Sequence, residues 1–304
     1  MITQNRKRGK IQVLEILSNR FPGLVENIRS TIAASERAFE GRLESGSHSY
    51  LWEHTVLVVE IAFRIAEEEG LDPLTAAAAA LFHDAGKFVE GRYHENNEPE
   101  EEAAAGLAET MLPASGASPN LTRRVAKAVR DLYNPRGGRN RLASVVHDAD
   151  FLAKAGLVGV AGFFIKSTLR GRGLEDAIVH SLSRELTYAA CLPSNMRTKA
   201  GRQSAEKKSS AALVFYRRLL AELGEIHGRR FRIRKIRIPK PGSRGATLEI
   251  RLVHPAVCGV CGRSWRIAWD TESGIKCEKL TAEIRCASCG ERLSVSFCLP
   301  EIPT

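Results

Sequence analysis

A chain of 304 residues with 43% hydrophobic content is long enough for one large core or for two domains. Its formal charge of +10 and isoelectric point near 9.4 suggest a polyanionic partner or an anionic substrate, the plain alternative being a surface rich in arginine. Met1–Lys10 is polar and basic with no apolar stretch behind it, and the longest apolar run, Ala155–Ile165, falls far short of the roughly 20 residues a membrane span needs. No signal peptide and no membrane partner are expected, and the expected location is cytoplasmic. The seven cysteines then call for metal or ordinary thiol roles rather than disulfides.

Residues 11–40 read as two short helices broken by Phe21-Pro22-Gly23, with Ile11, Val13, Leu14, Ile16 and Leu17 as the first apolar stripe. After a polar loop, Gly41–Ser49, a long helix is expected over Tyr50–Glu69, stopped by Gly70 and Pro73. Its nearly all-apolar middle, Val56–Ala66, marks a central, buried helix with His54 in its first turns. Leu74–Asp84 is an alanine-rich helix ending in His83-Asp84, with Gly86 and Lys87 just beyond. A histidine beside an aspartate at the end of an apolar helix needs partners that satisfy both, and a divalent metal does so.

Glu90–Asn97 is a polar loop holding His94, and Glu98–Leu112 returns to helix. The acidic start of that helix, Glu100 to Glu102, suits the helix dipole and reads as structural. Leu121–Leu132 is amphipathic, and Pro135–Arg139 is a turn. On the next helix, Leu142–Lys154, Asp148 and Asp150 are two apart and point to roughly opposite sides, so only one of them can face a given metal, whereas His147 and Asp150 share a face. Gly156–Ile165 is a glycine-interrupted apolar segment expected to be buried, and helices follow over Leu174–Leu186 and Gly201–Glu222.

The composition changes near residue 227. Gly228–Gly245 carries eight Lys or Arg residues and no acid, among them Arg230, Arg232, Arg234, Lys235 and Arg237. Apolar residues alternate with the charges at a strand's period, slipping one place at Lys235, and Thr247–Val253 reads as the hairpin partner. Exposed cations on one strand would give sequence-independent contacts to a nucleic acid backbone; a charged edge that resists aggregation is the alternative. Two Cys-x-x-Cys pairs follow, Cys258/Cys261 and Cys286/Cys289, each with glycine next and a short strand after it. That spacing is a zinc-ribbon signal, and four thiolates close a tetrahedral, structural Zn site. Cys191, Cys277 and Cys298 are left as ordinary thiols.

His54, His83-Asp84 and Asp150 occur in the order His … His-Asp … Asp, with Gly86-Lys87 after the doublet and Asp148-Ala-Asp-Phe-Leu152 ahead of the apolar segment Gly156–Gly162. With these motifs, roughly residues 45–222 resemble the HD-domain metal-dependent phosphohydrolase superfamily, closest to its small members with an Asp-Ala-Asp-x-Leu motif. The resemblance places the metal ligands on His54, His83, Asp84 and Asp150, in agreement with the geometric limit on the two aspartates. Two departures stand out: Asp131-Leu132-Tyr133 where relatives carry a further histidine, which favours a mononuclear site, and Phe151 where they carry arginine.

The architecture expected is therefore mainly α: an all-helical HD domain over residues 1–226, then a small β-rich zinc-ribbon domain over 227–304. The activity implied is hydrolysis of phosphate esters or anhydrides of nucleotides or related small phosphorylated compounds, by a water activated on a divalent Mn, Mg, Co, Ni or Fe ion. Asp84, Lys87 and His94 are the candidate catalytic residues; Lys87 would grip a phosphate or merely end a helix, and His94 would act as an acid or bind phosphate. His147 would orient a ligand or lie on the surface. The rival readings are an HD-type nuclease fed by the basic ribbon and a non-enzymatic nucleic-acid-binding protein. The oligomeric state is not legible.

Overall fold

The computed structural model describes residues 13–40, 49–88, 99–133, 140–169, 171–226, 232–239, 246–253, 255–257, 264–266, 280–285 and 292–297. His94, Arg230 and the cysteines at 258, 261, 286 and 289 lie outside these. Helices α1 (Val13–Arg20), α2 (Leu24–Glu40), α3 (Tyr50–Glu68), α4 (Pro73–Phe82), α5 (Glu100–Ala114), α6 (Pro119–Arg130), α7 (Arg141–Ala153), α8 (Gly156–Leu169), α9 (Leu174–Asn195) and α10 (Lys199–Ile226) follow one another, with no strand between them among the described residues. Short strands come after: β1 (Arg232–Pro239), β2 (Ala246–Val253), β3 (Pro255–Val257), β4 (Ser264–Arg266), β5 (Leu280–Arg285) and β6 (Arg292–Phe297), paired in sequence as three antiparallel twos. The β1–β2 register runs one to one through Lys235 and Ile250, so the change of phase read at Lys235 produces no extra residue there. By compactness the chain divides into Met1–Ala155 with Leu192–Lys207, and Gly156–Cys191 with Lys208–Thr304.

The first unit is built around α4. Ala76 to Ala80 are all fully buried, as are Leu81 and Phe82. A helix whose surface is methyl groups lets its neighbours approach at the short end of interhelical spacing, and α3, α5, α6 and α7 all contact it. Its start is set by Asp72, whose carboxylate accepts from the backbone N–H groups of Leu74 and Thr75, with Pro73 in the first turn. Ser118-Pro119 starts α6 in the same way. These caps explain why both helices begin one or two residues earlier than their apolar pattern indicates. The N-terminus of α3 is held by Glu36 of α2, buried, which accepts from Leu51 N and Ser49 Oγ.

After Phe82 the backbone leaves the helix, so His83 and Asp84 lie in the turn that follows and not in the helix itself. Gly86 brings this turn onto the start of α5; a Cβ there would fall well inside contact distance of Glu100 O and Ala104 N. Phe88 then adopts a positive φ of 58°, a strained setting for a bulky residue, with its ring stacked on Phe39 at 4.5 Å.

The two aspartates of α7 separate as the two-residue spacing requires. Asp148 is fully buried and accepts from Arg197 N (2.9 and 3.0 Å), Thr198 N (2.7 Å), Thr198 Oγ1 (2.7 Å) and His147 Nδ1 (2.9 Å). It is thus a second carboxylate cap for the start of α10, where Thr198 Oγ1 also accepts from Gly201 N and Glu69 accepts from Ala200 N. Gly201 leaves the room for this; a Cβ there would press on Asp148 Oδ2 and Thr198 Oγ1.

In the second unit, α8, α9 and α10 share a core of Val160, Phe163, Ile178, Leu182, Leu186 and Tyr216 with smaller residues between them. The expectation that Gly156–Ile165 is buried throughout is corrected: Val160 and Phe163 are, but Leu157, Val158 and Ile165 are more than half exposed. A helix packed on one face buries about one stripe, whatever its composition.

Asp148→Ala strands several buried donors at once and is expected to destabilise the protein by about 3 kcal/mol, read as a lower urea midpoint; Gly201→Ala lowers it too, through overpacking.

Candidate metal centre

Three elements deliver the donors. His54 comes from the second turn of α3, His83 and Asp84 from the turn after α4, and Asp150 from the third turn of α7. All four are buried. His54 Nε2 stands 2.9 Å from Asp150 Oδ1, 3.4 Å from His83 Nε2 and 3.7 Å from Asp84 Oδ2. His83 Nε2 is 3.4 Å from Asp84 Oδ2 and 3.7 Å from Asp150 Oδ1. Among the described residues, His54, His83 and Asp150 form a group whose ligand atoms lie within 4.8 Å of one another.

The protonation pattern suits a cation. His83 Nδ1 donates to Ala80 O at 2.7 Å, which fixes the ring with Nε2 facing His54. Burial lowers the pKa of His54 to about 4, although its contact with Asp150 pulls the other way. Ligands about 2.1 Å from one ion stand roughly 3.0 to 3.4 Å apart in octahedral or tetrahedral arrangement, which matches the spread of 2.9 to 3.7 Å here. Two imidazole nitrogens with carboxylate oxygen suit a borderline divalent ion. The residues fit a metal, and His54, His83, Asp84 and Asp150 would hold it.

Each carboxylate has a cation of its own. Lys87 Nζ lies 2.8 Å from Asp84 Oδ1 and 2.9 Å from Oδ2, and Lys154 Nζ lies 2.6 Å from Asp150 Oδ1. Against the penalty of burial, the neighbouring His83 and Lys87 hold Asp84 well below the usual carboxylate range. His54 and Lys154 do the same for Asp150, again against the penalty of burial. Burial lowers the pKa of Lys87, but the Asp84 carboxylate outweighs it and raises the net value. Lys87 is thus neither a solvated helix-end lysine nor remote from the site.

Tyr133 and Lys154 are the residues that reading the sequence missed. Tyr133 Oη donates to Asp150 Oδ2 at 2.7 Å, in the stretch already noted for its missing histidine. Burial raises the tyrosine pKa and the Asp150 charge adds to this, so Oη keeps its proton. Lys154, the C-cap of α7, comes four residues after Asp150, and that spacing was the available signal. His147 is buried against Phe151, their rings 4.6 Å apart, and serves Asp148 rather than the metal donors; it is not a surface residue. Arg232, Arg234, Lys235 and Arg237 all lie on β1.

The sequence itself matches a known family over the stretch that carries these residues. Residues 51–155 match the HD domain. No curated protein matches the chain. Among solved structures, a predicted HD superfamily hydrolase from an uncultured Thermotogales bacterium is 26% identical, the match covering 69% of this chain and 99% of that one with a TM-score of 0.47. Bacillus subtilis YpgQ is 24% identical over 67% of this chain and 97% of its own, with a TM-score of 0.48. A complex of YpgQ with ADP matches at 22% identity over 66% and 96%, with a TM-score of 0.45. The matched stretch holds all four candidate donors, from His54 to Asp150. Among the described residues no single helix is long and apolar enough to cross a membrane.

Two outcomes test the centre. Because His54 has a lower pKa folded than unfolded, the metal-free protein loses stability as pH falls from about 6.5 toward 4, with the unfolded chain taking up the proton first. Urea unfolding at pH 8 and pH 5 should differ by about 2 kcal/mol from this residue, and His54→Gln should remove that share. Tyr133→Phe, which releases Asp150 Oδ2, should weaken Mn²⁺ binding about 10-fold by calorimetry while the circular dichroism spectrum stays unchanged.

Proposed function

We propose that the protein is a metal-dependent phosphohydrolase acting on phosphate esters or anhydrides of nucleotides or related small phosphorylated compounds. The observation that carries this reading is the convergence of His54, His83, Asp84 and Asp150 within the stretch that matches the HD domain. A divalent ion held there would activate a water and draw charge from a phosphoryl oxygen.

The chain's own groups favour an anionic substrate. Asp84 and Asp150 are balanced by Lys87 and Lys154, so the charge of a bound divalent ion is left for the substrate to offset. Lys87, with both Asp84 oxygens in reach, holds that carboxylate in place and keeps a cation beside the position of the phosphoryl group. Tyr133 fixes the orientation of Asp150 and offers a hydroxyl at the rim of the site. His94 is assigned to proton donation or phosphate binding on its place in the sequence alone.

The C-terminal segment is assigned a structural zinc, held by Cys258, Cys261, Cys286 and Cys289. In sequence the first pair falls between the paired strands β3 and β4 and the second between β5 and β6, which supports two matching knuckles. The basic run including Arg230, Arg232, Arg234, Lys235 and Arg237 gives the segment a nucleic acid contact, and with it a second reading in which the strand itself is the substrate.

A panel of nucleoside mono-, di- and triphosphates, cyclic nucleotides and single-stranded RNA and DNA separates the two readings. Each compound is assayed with Mn²⁺, Mg²⁺, Co²⁺ or Ni²⁺, with Asp84→Ala as blank. Metal-dependent turnover of a small nucleotide, lowered at least 100-fold in the variant, is the expected result. Strand cleavage without small-nucleotide turnover would replace the first reading with the nuclease. No turnover above the blank would refute both.

A further inference from the structure

Asp150 carries a lysine that competes for the very oxygen the metal centre uses. Oδ1 of Asp150 faces His54 Nε2 at 2.9 Å and His83 Nε2 at 3.7 Å, and Lys154 Nζ lies 2.6 Å from that same oxygen. The other oxygen, Oδ2, is taken by Tyr133 Oη at 2.7 Å. A divalent ion bound by the two imidazoles and Oδ1 would stand close to the Lys154 ammonium, and two cations sharing one oxygen repel each other.

The two lysines of the site differ in how firmly they are held. Lys87 reaches both oxygens of Asp84 and its side chain is 21% exposed, whereas Lys154 reaches one oxygen of Asp150 and is 38% exposed. Lys154 also follows the last turn of α7 as its C-cap, so its long stem leaves from a helix end. When it leaves, the Tyr133 hydroxyl still holds Asp150 in place. Lys154 is therefore the cation that can move, and the species that gains from its movement is an anion arriving over the metal.

Resting on the phosphohydrolase reading, we infer that Lys154 is a substrate-binding residue with two positions: on Asp150 Oδ1 in the cation-free protein, and on a phosphate oxygen once the divalent ion is bound. In the first position it satisfies a buried carboxylate that would otherwise lack a counter-charge when no metal is present. In the second it adds a donor to the phosphate. The two roles carry opposite signs, which distinguishes them from a lysine that only stabilises the fold.

The test is calorimetric titration of the full chain and of Lys154→Met, first with Mn²⁺ alone and then with inorganic phosphate on the Mn²⁺-loaded protein. Lys154→Met should bind Mn²⁺ about fivefold more tightly, because its competitor is gone, and bind phosphate about 10-fold more weakly. Lys154→Arg should recover phosphate binding. Unchanged or weaker Mn²⁺ binding in Lys154→Met, or unchanged phosphate binding, overturns the assignment. If the wild-type protein takes up Mn²⁺ and turns over a nucleotide while Lys154→Met behaves identically, only the role of Lys154 falls. If the wild-type protein binds no Mn²⁺ beyond Asp84→Ala, the metal-hydrolase reading falls and the inference with it.

Discussion

The opposition of two carboxylates on one helix is the constraint from which the rest of the first unit follows. Asp148 and Asp150 are two residues apart on α7, so one faces the donors from α3 and the α4 turn while the other faces the start of α10. Neither can be moved without the other. The buried carboxylate of Asp148 is satisfied by backbone N–H groups and a hydroxyl from residues 197 and 198, and those bonds set the rotation of α7 about its axis. That rotation aims Asp150 at His54. The motif is thus one structural anchor and one candidate ligand, joined by an alanine.

Charge in the centre is balanced before any ion arrives. Two acids and two lysines, all drawn from within four residues of each other on their own elements, share a pocket with imidazoles that burial keeps neutral at His54. Such an arrangement lowers the penalty of burying two carboxylates side by side. It also means that a divalent ion, if held there, would change the net charge of the pocket rather than cancel it.

Much of the helical part was legible because its helices are long and periodic, and because glycine and proline mark their ends. The errors have physical sources. The starts of α4 and α6 are set by Asp72 and Ser118, capping residues that stand outside the apolar pattern. The exposure of Leu157, Val158 and Ile165 follows from α8 having one packed face, which composition does not encode. The candidate metal donors stood out because adjacent His-Asp and Asp-Ala-Asp are rare local patterns, and the fold brings their side chains together. Tyr133 approaches Asp150 from 17 residues away and Arg197 approaches Asp148 from 49, and contacts of that range are created by the fold. Lys154 was within local reach of Asp150, but a lysine four residues after an aspartate is too common to single out.

The run of five alanines in α4 has a consequence for how this domain tolerates change. Ala76 to Ala80 are all without solvent contact, and the turn that follows carries two of the donors. Bulkier side chains on this run would push the helix away from its neighbours, and the displacement would be handed directly to His83 and Asp84. The spacing of the candidate donors is therefore calibrated by the thickness of a methyl group. A substitution along α4 would be felt at the candidate donors beyond its end as much as in the packing around its axis.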